Sequence, residues 1–217
     1  MACRLNNLVF ISGPQGSGKS TLISHLTEEI PDAISPELKT KSPQFYWGGD
    51  ENVLKTNFFH RQALKYAQRA SENYEYFAAA KREPGKLIIG DRCRYDTCIY
   101  RIAGIKLGWI SKEQDIEIEE KLRILNLDEL MEPFCIILNP GFESCQNHLQ
   151  KRWNETGWIK FMETNMNYLK EVCESFQELK SINNILYIGE NIDYSKKCAL
   201  DNIKNWIKGF YNNCLEK

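Results

Sequence analysis

Leu8-Val9-Phe10-Ile11-Ser12-Gly13-Pro14-Gln15-Gly16-Ser17-Gly18-Lys19-Ser20-Thr21 is the stretch that decides the fold. From Gly13 to Ser20 it reads G-x-x-x-x-G-K-S, with the apolar run Leu8 to Ile11 before it and the helix-compatible run Thr21-Leu22-Ile23-Ser24-His25-Leu26 after it. Strand, glycine-rich loop and helix start, in that order, build a phosphate cradle. Backbone N–H groups turn inward, the helix N-terminus adds partial positive charge, and Lys19 supplies a full one. Gly13, Gln15, Gly16, Ser17, Gly18, Lys19, Ser20 and Thr21 are the residues assigned to a nucleoside triphosphate. The Ser20 hydroxyl is placed to ligate Mg²⁺. Glycines in a strand-turn-helix can arise by chance, but the apolar flank and Gly18-Lys19-Ser20-Thr21 together decide for a triphosphate site.

Composition bounds the rest. The 217 residues suit one domain with a sizeable core, and 42% hydrophobic with 26% charged residues is ordinary for a globular chain. A net charge of −1 gives no general case for nucleic-acid or membrane partners. The eight cysteines, Cys3, Cys93, Cys98, Cys135, Cys145, Cys173, Cys198 and Cys214, form no C-x-x-C pair, so zinc-ribbon spacing is missing. No signal peptide opens the sequence, and no apolar run approaches the about 18 residues of a membrane span. The expected setting is reducing and cytoplasmic.

Along the chain, apolar runs alternate with helical periodicity. Strands are expected at about 7–12, at Ala33-Ile34-Ser35, at Lys86 to Gly90, at Phe134 to Leu138 and at Ile185 to Ile188. Helices are expected from the loop to about Ile30, over Phe58 to Lys81, over 94–107, 111–130 and 143–180, and from about Tyr194 to Tyr211. Pro31 stops the first helix, and residues 39–50 form a loop rich in Pro, Gly and aromatics. Such alternation implies α/β architecture: a parallel sheet of about five strands with helices on both faces. Ligands on these sheets bind beyond the strands' carboxyl ends. The glycine-rich loop, Glu37, Asp91-Arg92 and Asn139 all fall at that edge.

Several residues there carry candidate chemistry. Asp91-Arg92 follows an apolar strand, pairing a carboxylate that can organise Mg²⁺ with a cation that can neutralise a moving phosphoryl group. A strand-end ion pair is the plainer alternative. Glu37 either orients an acceptor hydroxyl or sits solvated in a loop. Asp96 and Tyr100, four apart on one helix face, either hydrogen-bond a sugar or base or cap and pack their helix, and Arg94 and Arg101 are expected near the same rim. Among Trp47, Phe58, Phe59, Gln62 and Tyr66, the choice for a nucleobase platform falls on Phe59 and Gln62. Lys151, Arg152 and Lys160, around Gly157, suit a lid over 143–163 that closes on the phosphates and delivers Arg152. An ordinary basic surface helix is the alternative. His25, His60 and His148 share no ligand spacing and receive no role.

With loop, Asp-Arg and lid cations in this order, the chain resembles the P-loop nucleoside and nucleotide kinases, thymidylate kinase and deoxynucleoside kinases in particular. Asp91-Arg92-Cys93, with Tyr100, Ala103-Gly104 and Leu107-Gly108, is similar to the D-R-Y…A-Y-Q-G-A-G…L-G stretch of thymidylate kinases, and Leu149-x-x-Arg152 to the start of their lid. Gln15 departs from the acid usual there, Cys93 from the tyrosine and Arg101 from the glutamine. The motif Arg82-Glu83-Pro84-Gly85 stands before the third strand rather than after the second and is read as a turn. Pro36-Glu37, Trp47, Phe58-Phe59-x-x-Gln62 and Arg69 are similar to the Glu…Trp…Phe-Gln…Arg series of deoxynucleoside kinases. Asp91-Arg92-Cys93-Arg94-Tyr95-Asp96 also fits the D-R-x-x-x-D of nicotinamide riboside kinase relatives.

The resemblance implies a three-layer P-loop kinase fold over 1–217 and ATP with Mg²⁺ as phosphate donor. Lys19, Asp91, Arg92 and Arg152 become the catalytic residues, with Ser20 and Asp91 at the metal. Glu37, Phe59, Gln62, Arg92, Asp96 and Tyr100 become the acceptor site. A nucleoside monophosphate is the leading acceptor and a nucleoside 5′-hydroxyl the alternative. A nucleotide-binding switch or regulatory ATPase is a reading of another class, disfavoured because no N-K-x-D motif is present. The partners implied are small molecules, with no nucleic acid and no membrane, and a homodimer is one assembly such kinases adopt.

Overall fold

Five apolar runs become the strands β1 (Leu8–Ser12), β2 (Ala33–Ile34), β3 (Leu87–Asp91), β4 (Phe134–Leu138) and β5 (Ile185–Ile188). The computed structural model describes residues 5–38, 51–123, 134–157, 165–190 and 197–215. Among these lie the helices α1 (Lys19–Glu29), α2 (Glu51–Arg82), α3 (Arg94–Lys106), α4 (Lys112–Arg123), α5 (Phe142–Thr156), α6 (Met166–Phe176) and α7 (Lys197–Leu215), with a 3₁₀ turn at Gln177–Ser181. Trp47 and Lys160 lie outside the described residues.

All pairings are parallel and the sheet order is β2-β3-β1-β4-β5. β1 is therefore central, buried along its whole length between β3 and β4. The chain leaves β1 toward one edge, returns through β3, and crosses to β4 on the other side. That reversal puts the binding crevice at the carboxyl end of β1. This is the α/β fold expected from the alternating apolar runs, with helices on both faces.

Continuous apolar strands pay for burial on two sides, and the side chains divide accordingly. Leu8, Phe10, Ile88, Cys135 and Ile137 face Phe58, Tyr76 and Ala80 of α2, Ile99 and Ala103 of α3, and Tyr168, Val172 and Phe176 of α6. Val9, Ile11, Leu87, Ile89, Ile136 and Leu138 face Leu22 and Leu26 of α1 and Leu200, Ile203 and Ile207 of α7.

One element boundary and one side-chain placement differ from the sequence reading. α2 begins at Glu51 rather than Phe58, because its first turns are polar and show no apolar stripe. The helical segments expected over 143–180 are α5 and α6, with α5 ending at Gly157 in the left-handed conformation (φ 65°). Arg101 moves off the expected rim. It is the largest fully buried side chain, ion-paired with Asp115 at 2.5 Å and with Glu119 on α4, its guanidinium 5.3 Å from the Tyr66 ring. The alternation of α3 turns Arg101 to α2 and α4 while Asp96 and Tyr100 face the sheet edge. Among the described residues no helix is long and apolar enough to cross a membrane.

Gly104 shows how tight the α2–α3 contact is. A Cβ there would run into the edge of the Phe58 ring, which is itself fixed against Trp109 (5.3 Å) and Tyr168 (5.7 Å). Gly104→Ala is expected to lower stability by about 1–2 kcal/mol, overpacking outweighing the gain in helix propensity. Gly85, whose added Cβ meets nothing within 4 Å, is the control and should stay within about 0.5 kcal/mol on change to Ala. Urea unfolding of both variants measures the difference.

Candidate active site

The loop after β1 is shaped by three glycines with positive φ: Gly13 (144°), Gly16 (75°) and Gly18 (88°). At two of them packing also forbids a side chain. A Cβ on Gly13 would meet the Leu138 carbonyl oxygen, and one on Gly16 would lie 2.5 Å from the Cys145 carbonyl oxygen of α5. The loop is thus wedged between the end of β4 and α5. Gly18, left-handed at the N-cap of α1, brings no capping side chain, so the first N–H groups of α1 face the loop. Ser20 and Thr21 follow, both exposed.

Lys19 is buried and donates to the carbonyls of Gly13 (3.0 Å) and Pro14 (2.6 Å) and to the Ser17 hydroxyl (3.2 Å). Burial, and next the Arg92 guanidinium, push its pKa down to about 7, against an opposite pull from Asp96 and Asp91. A cation so placed gains strongly from any anion brought beside it.

Arg92 follows β3 with φ 67°, a left-handed conformation that costs a non-glycine residue about 1–2 kcal/mol. Its N–H donates to Ile11 (2.8 Å), and its Nη1 donates to Asp96 Oδ1 (2.6 Å), the Tyr100 hydroxyl (3.2 Å) and the Gly13 carbonyl (3.4 Å). Burial alone would lower the Arg92 pKa, but Tyr100, Asp96 and Asp91 hold it above its ordinary value. Asp96 has a second duty: its Oδ2 accepts the Cys93 N–H (3.2 Å) in the capping box of α3. The capping role weighed for Asp96 is thus present, in an arrangement that also grips Arg92 through Asp96 and Tyr100.

Asp91 is anchored through its backbone. Its N–H donates to the Tyr76 hydroxyl (3.2 Å) and its carbonyl accepts from Arg69 Nη1 (2.9 Å). Its side-chain Oδ1 is buried and takes no hydrogen bond among the described residues. Such an oxygen suits a hard cation or its water shell, and the exposed Ser20 hydroxyl supplies a donor of the same class. Among the described residues no group of three or more His, Cys, Asp or Glu forms a metal cage. Any Mg²⁺ here would take most of its ligands from phosphate oxygens and water.

A pocket of about 350 Å³ opens beside the loop, reached by Gln15, Asp91, Arg92, Asp96, Tyr100 and Gln62. Its far wall is one face of α2, where Arg61, Lys65, Gln68, Arg69, Glu72 and Tyr76 recur at helical spacing, and Tyr168 of α6 closes it. The sequence reading named Arg69 only through the resemblance and missed the others, although polar residues recurring every three to four positions were the available signal. Gln62 is buried beside Tyr168. Phe59 is partly buried against the core with its ring edge-on to His60 (5.3 Å), and Phe58 and Tyr66 are buried. Glu37 is exposed beyond β2 and is not part of the pocket wall, which its neighbour Leu38 reaches. Arg152 is half-buried on α5, outside the pocket wall. His148, given no role from sequence, places Nδ1 2.8 Å from the Gly16 carbonyl.

A glycine-rich loop at the central strand of this sheet, with Asp-Arg at the neighbouring strand end, defines the P-loop kinase fold. The chain resembles nucleoside and nucleotide kinases of that fold, as its motifs implied. A probable thymidylate kinase from Thermococcus kodakarensis is 25% identical over 193 aligned residues, spanning 81% of this chain and 88% of that protein. The structure of deoxyadenosine kinase from M. mycoides with bound dATP is similar in fold, with a TM-score of 0.68 and 18% identity over 93% of this chain and 99% of that one. The same enzyme with bound dCTP matches at a TM-score of 0.59 and 17% identity, with the same coverage. No protein-family model matches the chain.

The depressed Lys19 pKa has a measurable sign. An unfolded lysine keeps its proton to about 10.4, whereas the folded residue releases it near 7. Between those values the unfolded chain binds the extra proton, so the free protein's stability should rise with pH by at most about 1.4 kcal/mol per unit. Lys19→Met should abolish that slope in urea titrations from pH 7 to pH 10. Binding a triphosphate should return the proton, so calorimetry above pH 7 in two buffers of different ionisation heat should register uptake. Identical heats in both buffers would contradict the assignment.

Proposed function

We propose that the protein transfers the γ-phosphoryl group of ATP, taken as its Mg²⁺ complex, to a nucleoside monophosphate held in the pocket beside the loop. The observation that carries this reading is Arg61. Burial lowers its pKa, with only Tyr168 opposing, and no carboxylate among the described residues pairs with it. Of the pocket's other cations, Arg92 is matched by Asp96 and Arg69 by Glu72 at 2.5 Å, and Lys65 donates to the Gln68 amide oxygen at 3.0 Å. A desolvated, unmatched guanidinium in a pocket wall favours an anionic acceptor over a neutral one.

The residues divide the work of positioning and electrostatics that phosphoryl transfer requires. Gly13 and Gln15 to Thr21 hold the triphosphate, with Lys19 neutralising its β- and γ-phosphates. Ser20 and Asp91 hold the metal, which when bound neutralises charge on the same phosphates. Arg92, fixed by Asp96 and Tyr100, meets the acceptor phosphate and the transferred group from the other side. Gln62 addresses the acceptor's base. We assign Arg152 on α5 to a lid over 143–163, of which 158–163 lie outside the described residues. The whole chain acts as one catalytic domain.

A nucleoside acceptor is the second reading, supported by the fold likeness to deoxyadenosine kinase and by Glu37 at the β2 end. ADP release measured with common nucleosides and their monophosphates separates the two. The expected result is turnover with a monophosphate and little with nucleosides. Arg61→Ala should then raise the acceptor KM roughly tenfold to a hundredfold, from loss of a hydrogen bond to a charged group, and Arg92→Ala should lower kcat as well. Turnover with nucleosides alone, lost in Glu37→Ala and kept in Arg61→Ala, would overturn the proposal. ATP hydrolysis with no acceptor served would favour a regulatory ATPase.

A further inference from the structure

α5 lies against the outer side of the triphosphate loop through one face. Cys145 and Leu149, one turn apart, pack on Gly16 so closely that an added Cβ would lie 2.5 Å from the Cys145 carbonyl oxygen and 2.9 Å from Leu149 Cγ. His148 stands beside them. Its ring is exposed, yet Nδ1 comes to 2.8 Å of the Gly16 carbonyl oxygen, 132 residues away in sequence. A carbonyl oxygen only accepts, so Nδ1 carries the proton and donates.

The peptide linking Gly16 to Ser17 is planar and trans, so its carbonyl and its N–H point in opposite directions. Drawing the Gly16 carbonyl out toward α5 turns the Ser17 N–H inward. There it donates to the Pro14 carbonyl at 3.3 Å, the same oxygen that accepts from Lys19 Nζ. The inner face of the loop therefore takes its orientation in part from an exposed histidine on the outer face. Gly16 needs such a hold, because a glycine at φ 75° has no side chain of its own to resist a flip of this peptide.

We propose that His148 is a positioning residue for the triphosphate loop, holding the Gly16–Ser17 peptide so that the Ser17 N–H faces the phosphates. The inference rests on reading Gly13 to Ser20 as a triphosphate site, but not on which acceptor is used. On the same helix face, one turn on, stands Arg152, so the hydrogen bond also sets the distance between loop and lid helix.

The test uses His148→Ala, which removes the donor, and His148→Asn, whose amide nitrogen stands near the place of Nδ1. Binding of a non-hydrolysable ATP analogue with Mg²⁺ is measured by calorimetry, and the Ser17 amide is followed by NMR. Loss of one hydrogen bond of ordinary strength should weaken binding in the Ala variant about three- to tenfold. It should also shift the Ser17 amide resonance, and Asn should restore both to near wild type. Because the ring is exposed, all three proteins should unfold at closely similar temperatures. Equal affinity of the Ala variant and wild type overturns the inference while leaving the site reading intact. So does an Asn variant as weak as Ala. No analogue binding by the wild-type protein overturns the site reading and the inference together.

Discussion

One backbone hydrogen bond ties the two halves of the site together: the Arg92 N–H to the Ile11 carbonyl, at 2.8 Å. It extends the β1–β3 pairing one residue beyond Asp91, whose register partner is Ile11 itself. The chain must then turn within a single residue, and Arg92 does so at φ 67°. That strain is offset by what the turn places. The guanidinium swings back across the strand ends to Asp96, Tyr100 and Gly13, and Asp96 caps the helix that the turn begins. The Gly13 carbonyl accepts from Arg92 and from Lys19 alike. A cation from the loop and a cation from the neighbouring strand thus meet at one oxygen, with neither free to move without disturbing the other.

Close packing makes this arrangement rigid. Gly13 has no room for a side chain against β4, and Gly16 has none against α5. Behind the pocket, Trp109 stacks on Tyr168 (5.0 Å, 15°), and the Tyr168 hydroxyl donates to the Tyr100 carbonyl (3.1 Å). The residue that holds Arg92 is therefore itself braced by the aromatic core. Burial has an electrostatic consequence as well. Lys19 and Arg92 lie close together in a poorly hydrated place, and both lean on the same two carboxylates, Asp91 and Asp96. A polyanion arriving there exchanges a weak hydration for preoriented donors, which is the physical meaning of preorganisation.

Much of this was legible in the chain. Phe134 to Leu138 and Ile185 to Ile188 match their strands residue for residue, because both are unbroken apolar runs, the first fully buried and the second partly buried at the sheet edge. The turn of the glycine-rich loop could be read because its positive-φ glycines are a local backbone property. The strand order could not, since nothing in β3 or β4 says which flank of β1 it takes. The α2 face was read only in part. The choice of Phe59 and Gln62 leaves Phe58 and Tyr66 to the core, where they lie buried, but a polar row carries no apolar periodicity to announce it. The polar row from Arg61 to Tyr76 was left facing the pocket. His148 is the extreme case, its role set wholly by a carbonyl from a distant loop.

The pocket beside the loop also bears on Gln15. Gln15 stands where thymidylate kinases carry an acid, and it lines the pocket with its Oε1 buried and unpartnered among the described residues. The wall already holds the carboxylates Glu72, Asp91 and Asp96 against the cations Arg61, Lys65, Arg69 and Arg92. A further carboxylate at position 15 would bring the two signs level and place negative charge beside Asp91. The neutral amide leaves the balance positive and can both donate and accept. For an acceptor that carries a phosphate, the gain lies in what Gln15 does not add: repulsion at the place where the incoming charge must be held.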